Sequence, residues 1–512
     1  MDRKNQFLAN LSSNLLQYAL SLGTNFLLVS FMVRRIGIEA NGLWILLTAL
    51  AEYLSLLDIG LSNAFLKFIS ESRGRADEGE TVGLYRFSLF YYRLASLLSL
   101  SLGLLLVWGL PSLFTIPQGS LSMARTTLSL LIFEASLNLL LSPGRILLQS
   151  FHRFDLINLG LSLKWLIRFL LFLGILSLSP SLPALAAANL SINSVLWLVL
   201  AYQGSRLIRF KSHGVTTLLS AQRRRTLLRY TLWVLLSMVA NRLFYYIDSL
   251  VIGIFRSSRE ISFYYSAWKI VEIVRGVGLA LIPFFLPLAS EMEAAKEERK
   301  IPLLFFQGMR LITLFTFPMI AYFSVLGDRF LLLWVGPEFL SYYPLIPILL
   351  LPQAGILTFL PSSSICFGID RHRPFILYSL LSSLLNLTVS LLLVKPFGIW
   401  GVAWGTTVTL LLCFLFDLFF HPWLIGFPRR EYLRILGRGG LFLLLSATLF
   451  LPWRGLRSTL LSLVLPLPLF PLGLFLGTLL LYTRREREEM FHWLSGFLLH
   501  LLGKGNNSAQ RE

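Results

Sequence analysis

A small set of ionisable and amide side chains lies in stretches that are otherwise almost wholly apolar, and any chemistry of this chain must run through them. Glu134, Asn138, Arg145 and Gln149 recur at spacings that share one face of a helix. Lys164 and Arg168 are four apart and therefore neighbours on a helix. Glu52 and Asp58 share one apolar run. Arg242 and Asp248 share another, with Tyr245 and Tyr246 between them, and Lys269, Glu272 and Arg275 follow at i, i+3 and i+6. A second pattern is polar but uncharged. Asn10, Asn14, Gln17, Ser21, Thr24 and Asn25 recur every three or four residues, which confines them to one stripe of a helix. Such groups suit binding better than bond-making: cations and amides hold anions and hydroxyl-rich molecules. The acids Asp58, Asp248 and Glu272 are candidates to hold a coupling H⁺ or Na⁺. No HExxH, P-loop or CxxC motif occurs. Cys366 and Cys413 sit in apolar runs without metal spacing. The six histidines (His152, His213, His372, His421, His492 and His500) fall in basic connections, at ends of apolar runs or in the tail. No cofactor or metal is expected.

The elements that position these residues follow from composition. Of 512 residues, 55% are hydrophobic and only 14% charged, against about 25% charged in soluble domains. Mean hydropathy is +0.71. A soluble protein of this length lacks the surface residues it would need, and a disordered one is excluded by the same figures. An all-α polytopic membrane protein is the expectation. A bilayer core of about 30 Å needs about 20 apolar residues per helix. Runs of that kind predict fourteen spans: 8–33, 41–66, 88–110, 123–148, 157–178, 183–204, 230–254, 262–289, 305–326, 343–367, 375–394, 400–421, 439–452 and 459–482. The thirteenth is short. The first is too long and too polar on one face for a cleaved signal segment, so it reads as a span that stays.

Charge then sets orientation. Lys and Arg total 45 against 26 Asp and Glu, a net charge of +19. In a soluble chain this would suggest nucleic acid; between membrane spans it reads as the positive-inside rule. With the N-terminus inside, the inside segments hold 27 basic residues and the outside segments 8. Both termini are therefore expected in the cytoplasm, with no nucleic-acid partner. The longest outside loop, Gly327–Tyr342, and the longest inside loop, Ser205–Arg229, are too short for a soluble domain, so the activity is expected within the bundle or at its rims. The basic loop predicts an N-lobe over 1–229 and a C-lobe over 230–438. Tyr246–Glu293 weakly echoes Phe26–Glu71, as parallel repeats about the membrane normal would. Spans 439–482 lie outside the repeat, and 483–512 is a cytoplasmic tail. Within that tail, Met490–Leu502 reads as an interfacial helix, and the last residues, GKGNNSAQRE, equally well as a disordered end.

Charges at span centres cost at least ~2.5–3.5 kcal/mol each on insertion scales and usually face protein or a water-filled path. Lys67, Arg93, Arg125 and Arg310 sit near span ends, where snorkelling accounts for them. The polar stripe of the first span serves either helix–helix hydrogen bonding or a wet cavity. Lys269, Glu272 and Arg275 read either as intrahelical pairs or as interior sites. Deep basic residues slightly outnumber deep acids, so the expected permeant group is anionic.

The segment 28–70 (LVSFMVRRIGIEANGLWILLTALAEYLSLLDIGLSNAFLKFIS) resembles the start of bacterial polysaccharide flippases. So does 245–290, which carries the run Asp248-Ser-Leu-Val-Ile-Gly253 and a later Leu-Pro. Asn386 followed by Pro396-Phe-Gly-Ile-Trp-Gly-Val-Ala-Trp-Gly405 resembles the passage between that family's eleventh and twelfth spans. The likeness covers roughly residues 5–480. It implies the polysaccharide and O-antigen flippases, a branch of the multidrug/oligosaccharidyl-lipid/polysaccharide exporter superfamily. That branch has two six-helix lobes around a cavity and works by alternating access. It moves undecaprenyl-diphosphate-linked oligosaccharide from the inner to the outer leaflet of the bacterial cytoplasmic membrane. Two helices beyond twelve also occur in lipid II flippases, although the first span here lacks a deep Arg. The resemblance implies a cavity whose basic residues meet the diphosphate; by depth the candidates are Arg145, Lys164, Arg242 and Arg275, and by helix face Asn14, Gln17, Ser21, Asn25, Glu134 and Asn138 line the same cavity. Its implied partners are the lipid-linked oligosaccharide, membrane lipids and other polysaccharide-assembly proteins. The alternatives are a multidrug/toxin cation antiporter of the same superfamily and a membrane polysaccharide polymerase or ligase. The basic excess argues against the first, and the short outside loops without histidine argue against the second.

Overall fold

A computed structural model of the chain describes residues 3–208, 220–282, 285–369, 371–483 and 487. Among these residues there is no strand. Lipid offers no hydrogen bonds, so a spanning segment must satisfy its backbone internally, and a helix does so. In chain order the helices are α1 (Arg3–Ile36), α2 (Ile38–Leu54), α3 (Leu56–Gly74), α4 (Glu78–Leu113), α5 (Leu121–Ser150), α6 (Phe154–Leu178) and α7 (Leu182–Ser205). Next come α8 (Ala221–Tyr246), α9 (Asp248–Phe255), α10 (Ser258–Leu281), α11 (Phe285–Ala294) and α12 (Ile301–Trp334). The rest are α13 (Leu345–Leu350), α14 (Gln353–Thr358), α15 (Leu360–Gly368), α16 (His372–Ile425), α17 (Arg429–Phe450), α18 (Thr459–Val464) and α19 (Leu469–Leu481).

By length and composition, nine helical segments among the described residues suffice to cross a membrane. There are ten if α8 and α9, bent by 53° about Ile247, count as one. The fourteen expected runs exceed this number for several reasons. Part of α1 lies outside the residues whose side chains are described, a break at Ser55 divides the run 41–66 between α2, of 17 residues, and α3, and α10 carries the charges Lys269, Glu272 and Arg275, which lower its hydropathy. Helix α16 contains two expected runs, 375–394 and 400–421. Boundaries also move. The expected thirteenth span begins at 439, but α17 begins at Arg429. Arg429, Arg430, Arg434 and Arg438 thus lie on its first turns. Hydropathy reads side chains, whereas a helix requires only backbone bonds. The expected interfacial helix 490–502 lies outside the described residues.

Contacts divide the chain into two compact units: Met1–Lys269 with Arg373–Thr409, and Ile270–His372 with Leu410–Glu512. The expected lobes rest on the basic loop and a weak internal echo, which a partition by contacts does not measure. The core of the first unit includes Phe65, whose ring meets Phe87 at 6.0 Å and Tyr92 at 6.1 Å. The first turn of α8 is tied to α3 and α4 by Arg223, which lies 2.8 Å from Glu71 and 2.7 Å from Glu80. Burial works against the Arg223 charge, but the two carboxylates outweigh it and hold its pKa above the ordinary value. Asp77 caps α4, accepting from the Glu80 amide at 2.8 Å. In the second unit, Phe305 stacks on Phe427 at 4.5 Å. Tyr322 of α12 meets Phe450 at 5.3 Å and Phe470 at 5.5 Å, which seats α17 and α19 on α12.

Helix α16 is continuous in its hydrogen bonding except at Gly398, where φ is 58° and ψ −137°. Past that residue the chain folds back on itself. A Cβ at Gly401 would lie 2.0 Å from the Leu393 carbonyl oxygen, and one at Gly405 would lie 2.9 Å from the Ser390 Cα. Two antiparallel limbs result, at the positions of the expected eleventh and twelfth spans. Only glycine adopts the Gly398 conformation without strain. Gly398→Ala should therefore cost about 1–3 kcal/mol, read as a lower midpoint of thermal unfolding in detergent. An unchanged midpoint would show that the turn tolerates another conformation.

Candidate functional site

In the first unit, the deep charges of α5 and α6 form one cluster with α1 and α7. Glu134 is held by two amides of α7: Asn189 donates to its carboxylate at 2.8 Å, and Asn193 donates to its other oxygen. Lys164 and Arg168 lie within electrostatic reach of Glu134. Arg168 donates to the Asn25 carbonyl of α1 at 3.0 Å, and Asn25 donates onward to the Ser21 backbone carbonyl at 2.8 Å. Tryptophan faces carry the cations. Lys164 stands 4.9 Å from the Trp165 ring and 6.0 Å from Trp197, Arg145 is 5.0 Å from Trp197, and Arg168 is 5.4 Å from Trp165. Arg145 is also paired with Asp58 of α3 at 2.5 Å, and Tyr92 of α4 donates to the second Asp58 oxygen at 2.8 Å.

The cluster is not saturated. Asn138 Oδ1, Arg145 Nε, Trp165 Nε1, Arg168 Nε and Asn193 Oδ1 are buried atoms without a hydrogen-bond partner. Groups of this kind normally find one. Four of the five belong to residues that already ring the Glu134–Lys164–Arg168 centre. Such an arrangement can receive a polar, anionic guest.

Other expected site residues fall elsewhere. Asn14 and Asn10 lie outside the residues whose side chains are described. Gln17 and Ser21 are half-buried on α1. Arg242 is 2.8 Å from Glu52 and 4.8 Å from the Tyr246 ring. Asp248 is buried and accepts from Tyr264 and, at 3.1 Å, from Thr406; its Oδ1 has no hydrogen-bond partner. Glu272 and Arg275 belong to the second unit, with Arg275 buried and Glu272 half-buried. The sequence reading did not single out Asn189, Asn193, Trp165, Trp197 or Tyr92. The spacing of four between Asn189 and Asn193 was a usable signal; the tryptophans gave none in so apolar a chain.

A tight contact joins α2 to the start of α10 within the same unit. Asn41 donates to the Ser262 hydroxyl at 2.7 Å. A Cβ on Gly42 would lie 1.7 Å from the Ser258 carbonyl oxygen, so only glycine permits the approach. The Thr115 amide, beyond α4, donates to the Gly253 carbonyl at 3.2 Å.

The Arg145–Asp58 pair is largely shielded, at 18% and 12% side-chain exposure. Removing one partner of such a pair strands the other. Asp58→Asn should cost on the order of 3 kcal/mol, and the double variant Asp58→Asn with Arg145→Gln should recover most of it. Thermal unfolding of the purified variants checks this. Strictly additive losses would mean that the two groups do not interact.

A family model described as "Polysaccharide biosynthesis protein" matches residues 86–344, just over half of the chain. The chain is similar to a protein of Bacillus subtilis (strain 168) named "Uncharacterized membrane protein EpsK". The two are 23% identical over 420 residues, covering 80% of this chain and 81% of that one. Among solved structures it is similar to the lipid II flippase MurJ in an inward closed conformation. That match has a TM-score of 0.71 at 13% identity and covers 92% of this chain and 98% of that one. An inward-facing multidrug resistance transporter of the MATE family matches with a TM-score of 0.60 at 14% identity, covering 82% and 94%. These structural likenesses show the fold alone. The chain thus belongs to the polysaccharide biosynthesis protein family, as an all-helical, multi-pass membrane protein.

Proposed function

We propose that the chain flips undecaprenyl-diphosphate-linked oligosaccharide from the inner to the outer leaflet of the bacterial cytoplasmic membrane by alternating access. The observation that carries this reading is the cluster around Lys164, Arg168 and Arg145. Lys164 and Arg168 gather beside one amide-clamped carboxylate, Glu134, and Arg145, paired with Asp58, stands next to them on the shared Trp197 face, with several polar atoms left unpartnered. A diphosphate would draw the cations away from Glu134 and meet the free guanidinium and indole donors; charge-assisted bonds of this kind are the strong ones. Asn25, Asn138, Asn189 and Asn193 suit sugar hydroxyls. In this reading α1, α2 with α3, and α10 also cross the membrane, which gives fourteen spans with both termini in the cytoplasm. Asp58 is committed to Arg145 and Tyr92, and Arg242 to Glu52. Asp248, with one oxygen unpartnered, is then the better coupling site for H⁺ or Na⁺. A cation antiporter fits less well, because the tryptophan faces that would hold a drug cation already carry Lys164, Arg145 and Arg168.

Each charge-assisted contact is worth about 1.5–3 kcal/mol. Replacing Lys164 and Arg168 together by alanine should therefore reduce surface polysaccharide at least about tenfold at normal membrane protein levels, with lipid-linked units accumulating in the inner leaflet. Undiminished polymer would sink the cluster as the binding site. Lost chain length without accumulation would point instead to polymerisation, and changed drug susceptibility alone to the antiporter.

The contact of α2 with α10 lies at the expected outer ends of those helices, and in this reading it is the outer seal that must part in each cycle. In a protein carrying Asn41→Cys and Ser262→Cys, a short thiol-reactive cross-linker should abolish flipping in reconstituted vesicles. The two single-cysteine variants, treated alike, should stay active. Continued flipping by the cross-linked protein would show that this contact does not move.

A further inference from the structure

The second unit buries an acid and an imidazole that the proposed function does not use. His421 Nε2 lies 3.1 Å from Asp417 Oδ1, one turn back on α16, and their side chains are 2% and 4% exposed. Both sit in the aromatic core between α14, α15 and α17. The Phe359 ring stacks on the His421 imidazole at 4.6 Å with an interplanar angle of 24°, and Phe359 also stacks on Tyr432 at 4.7 Å. The Tyr432 and Thr358 hydroxyls are hydrogen-bonded at 3.1 Å, and the Asp417 charge reaches Tyr432.

A purely structural role explains this pair poorly. Its two members lie on the same helix, so the contact ties no helix to another. In an apolar core, hydrophobic residues at the same two positions would pack without the desolvation that charged or polar groups incur. The pair is also too small to hold a metal, and no group of three potential ligands occurs among the described residues. One guest remains that needs only two partners, the proton. Imidazole is the side chain that exchanges one near neutral pH.

We propose that Asp417 and His421 form a proton-binding site within the second unit, separate from the charged cluster of the first. The imidazole takes one proton from water and returns it, and no other bond changes. Its output is local. Phe359 occupies the break between α14 and α15, with φ −90° and ψ −4°. An imidazolium attracts an aromatic face more strongly than a neutral ring does. Protonation therefore draws α16 against that break, and release loosens it. Titratable groups on the packed helices are few. Tyr432 comes from α17 and Cys366 from α15. Glu431 of α17 pairs with Arg310 of α12 at 3.6 Å, Arg371 donates to the Leu424 carbonyl at 2.8 Å, and Arg429 lies 4.6 Å from the Phe419 ring. Asp417 is the acid in contact.

The test is a titration of the full-length protein in detergent, with histidines isotopically labelled for NMR. A resonance absent from His421→Gln should change protonation within the pH range over which the protein stays folded, and Asp417→Asn should move its midpoint. Phe359→Leu should leave proton uptake in place but move its midpoint to lower pH, because the imidazolium loses its aromatic face. A His421 resonance that does not titrate, or a midpoint unchanged in Asp417→Asn, overturns the proposal. If His421→Gln does not fold, assignment by Asp417→Asn and Phe359→Leu serves instead, with the same two overturning results.

Discussion

The structure depends on one constraint: the surroundings of its helices neither solvate charge nor accept hydrogen bonds. Every polar group placed there must be answered by another part of the chain. The backbone answers itself by forming helices. The side chains must find each other across helices, and where they meet decides what the protein can hold. Glu134 is answered by Asn189 and Asn193, Arg168 by Asn25, and Arg145 by Asp58 and Tyr92.

These answers are incomplete in the cluster of the first unit. Three cations meet two carboxylates, Glu134 and Asp58, and the guanidinium Nε atoms of Arg145 and Arg168 have no acceptor. Full neutralisation would bury the cluster as a structural core. Partial neutralisation keeps the charges stable while the site is empty and leaves room for a stronger anion. The tryptophans contribute through the same logic, since an indole face shelters a cation without neutralising it. The aromatic core of the second unit works differently. There the faces of Phe305, Phe359 and Phe427 stack to close space rather than to hold charge, with His421 as the polar exception.

Much of this was legible one helix at a time. Glu134, Asn138, Arg145, Lys164 and Arg168 stood out because charge in an apolar run is rare and expensive, and their spacing gave their faces. Asn189 and Asn193 were passed over because uncharged amides are common glue between membrane helices, and no property of α7 alone says that a carboxylate faces it. Helix α10 is too charged for its composition alone to mark it as a span, because it carries Lys269, Glu272 and Arg275.

The amino-acid sequence by itself determined that the chain is helical and membrane-embedded and that its basic surplus lies mostly in connecting segments, because these depend on composition and on periods of a few residues. It also determined which charges lie within apolar runs. The tertiary structure alone decided which of them meet. Asp58 and Arg145 are 87 positions apart, Asn25 and Arg168 are 143, and Glu52 and Arg242 are 190. Pairing at such separations is set by how helices pack. Lys164 and Arg168 therefore share a centre with Glu134, while Arg242, equally deep by sequence, is tied to Glu52.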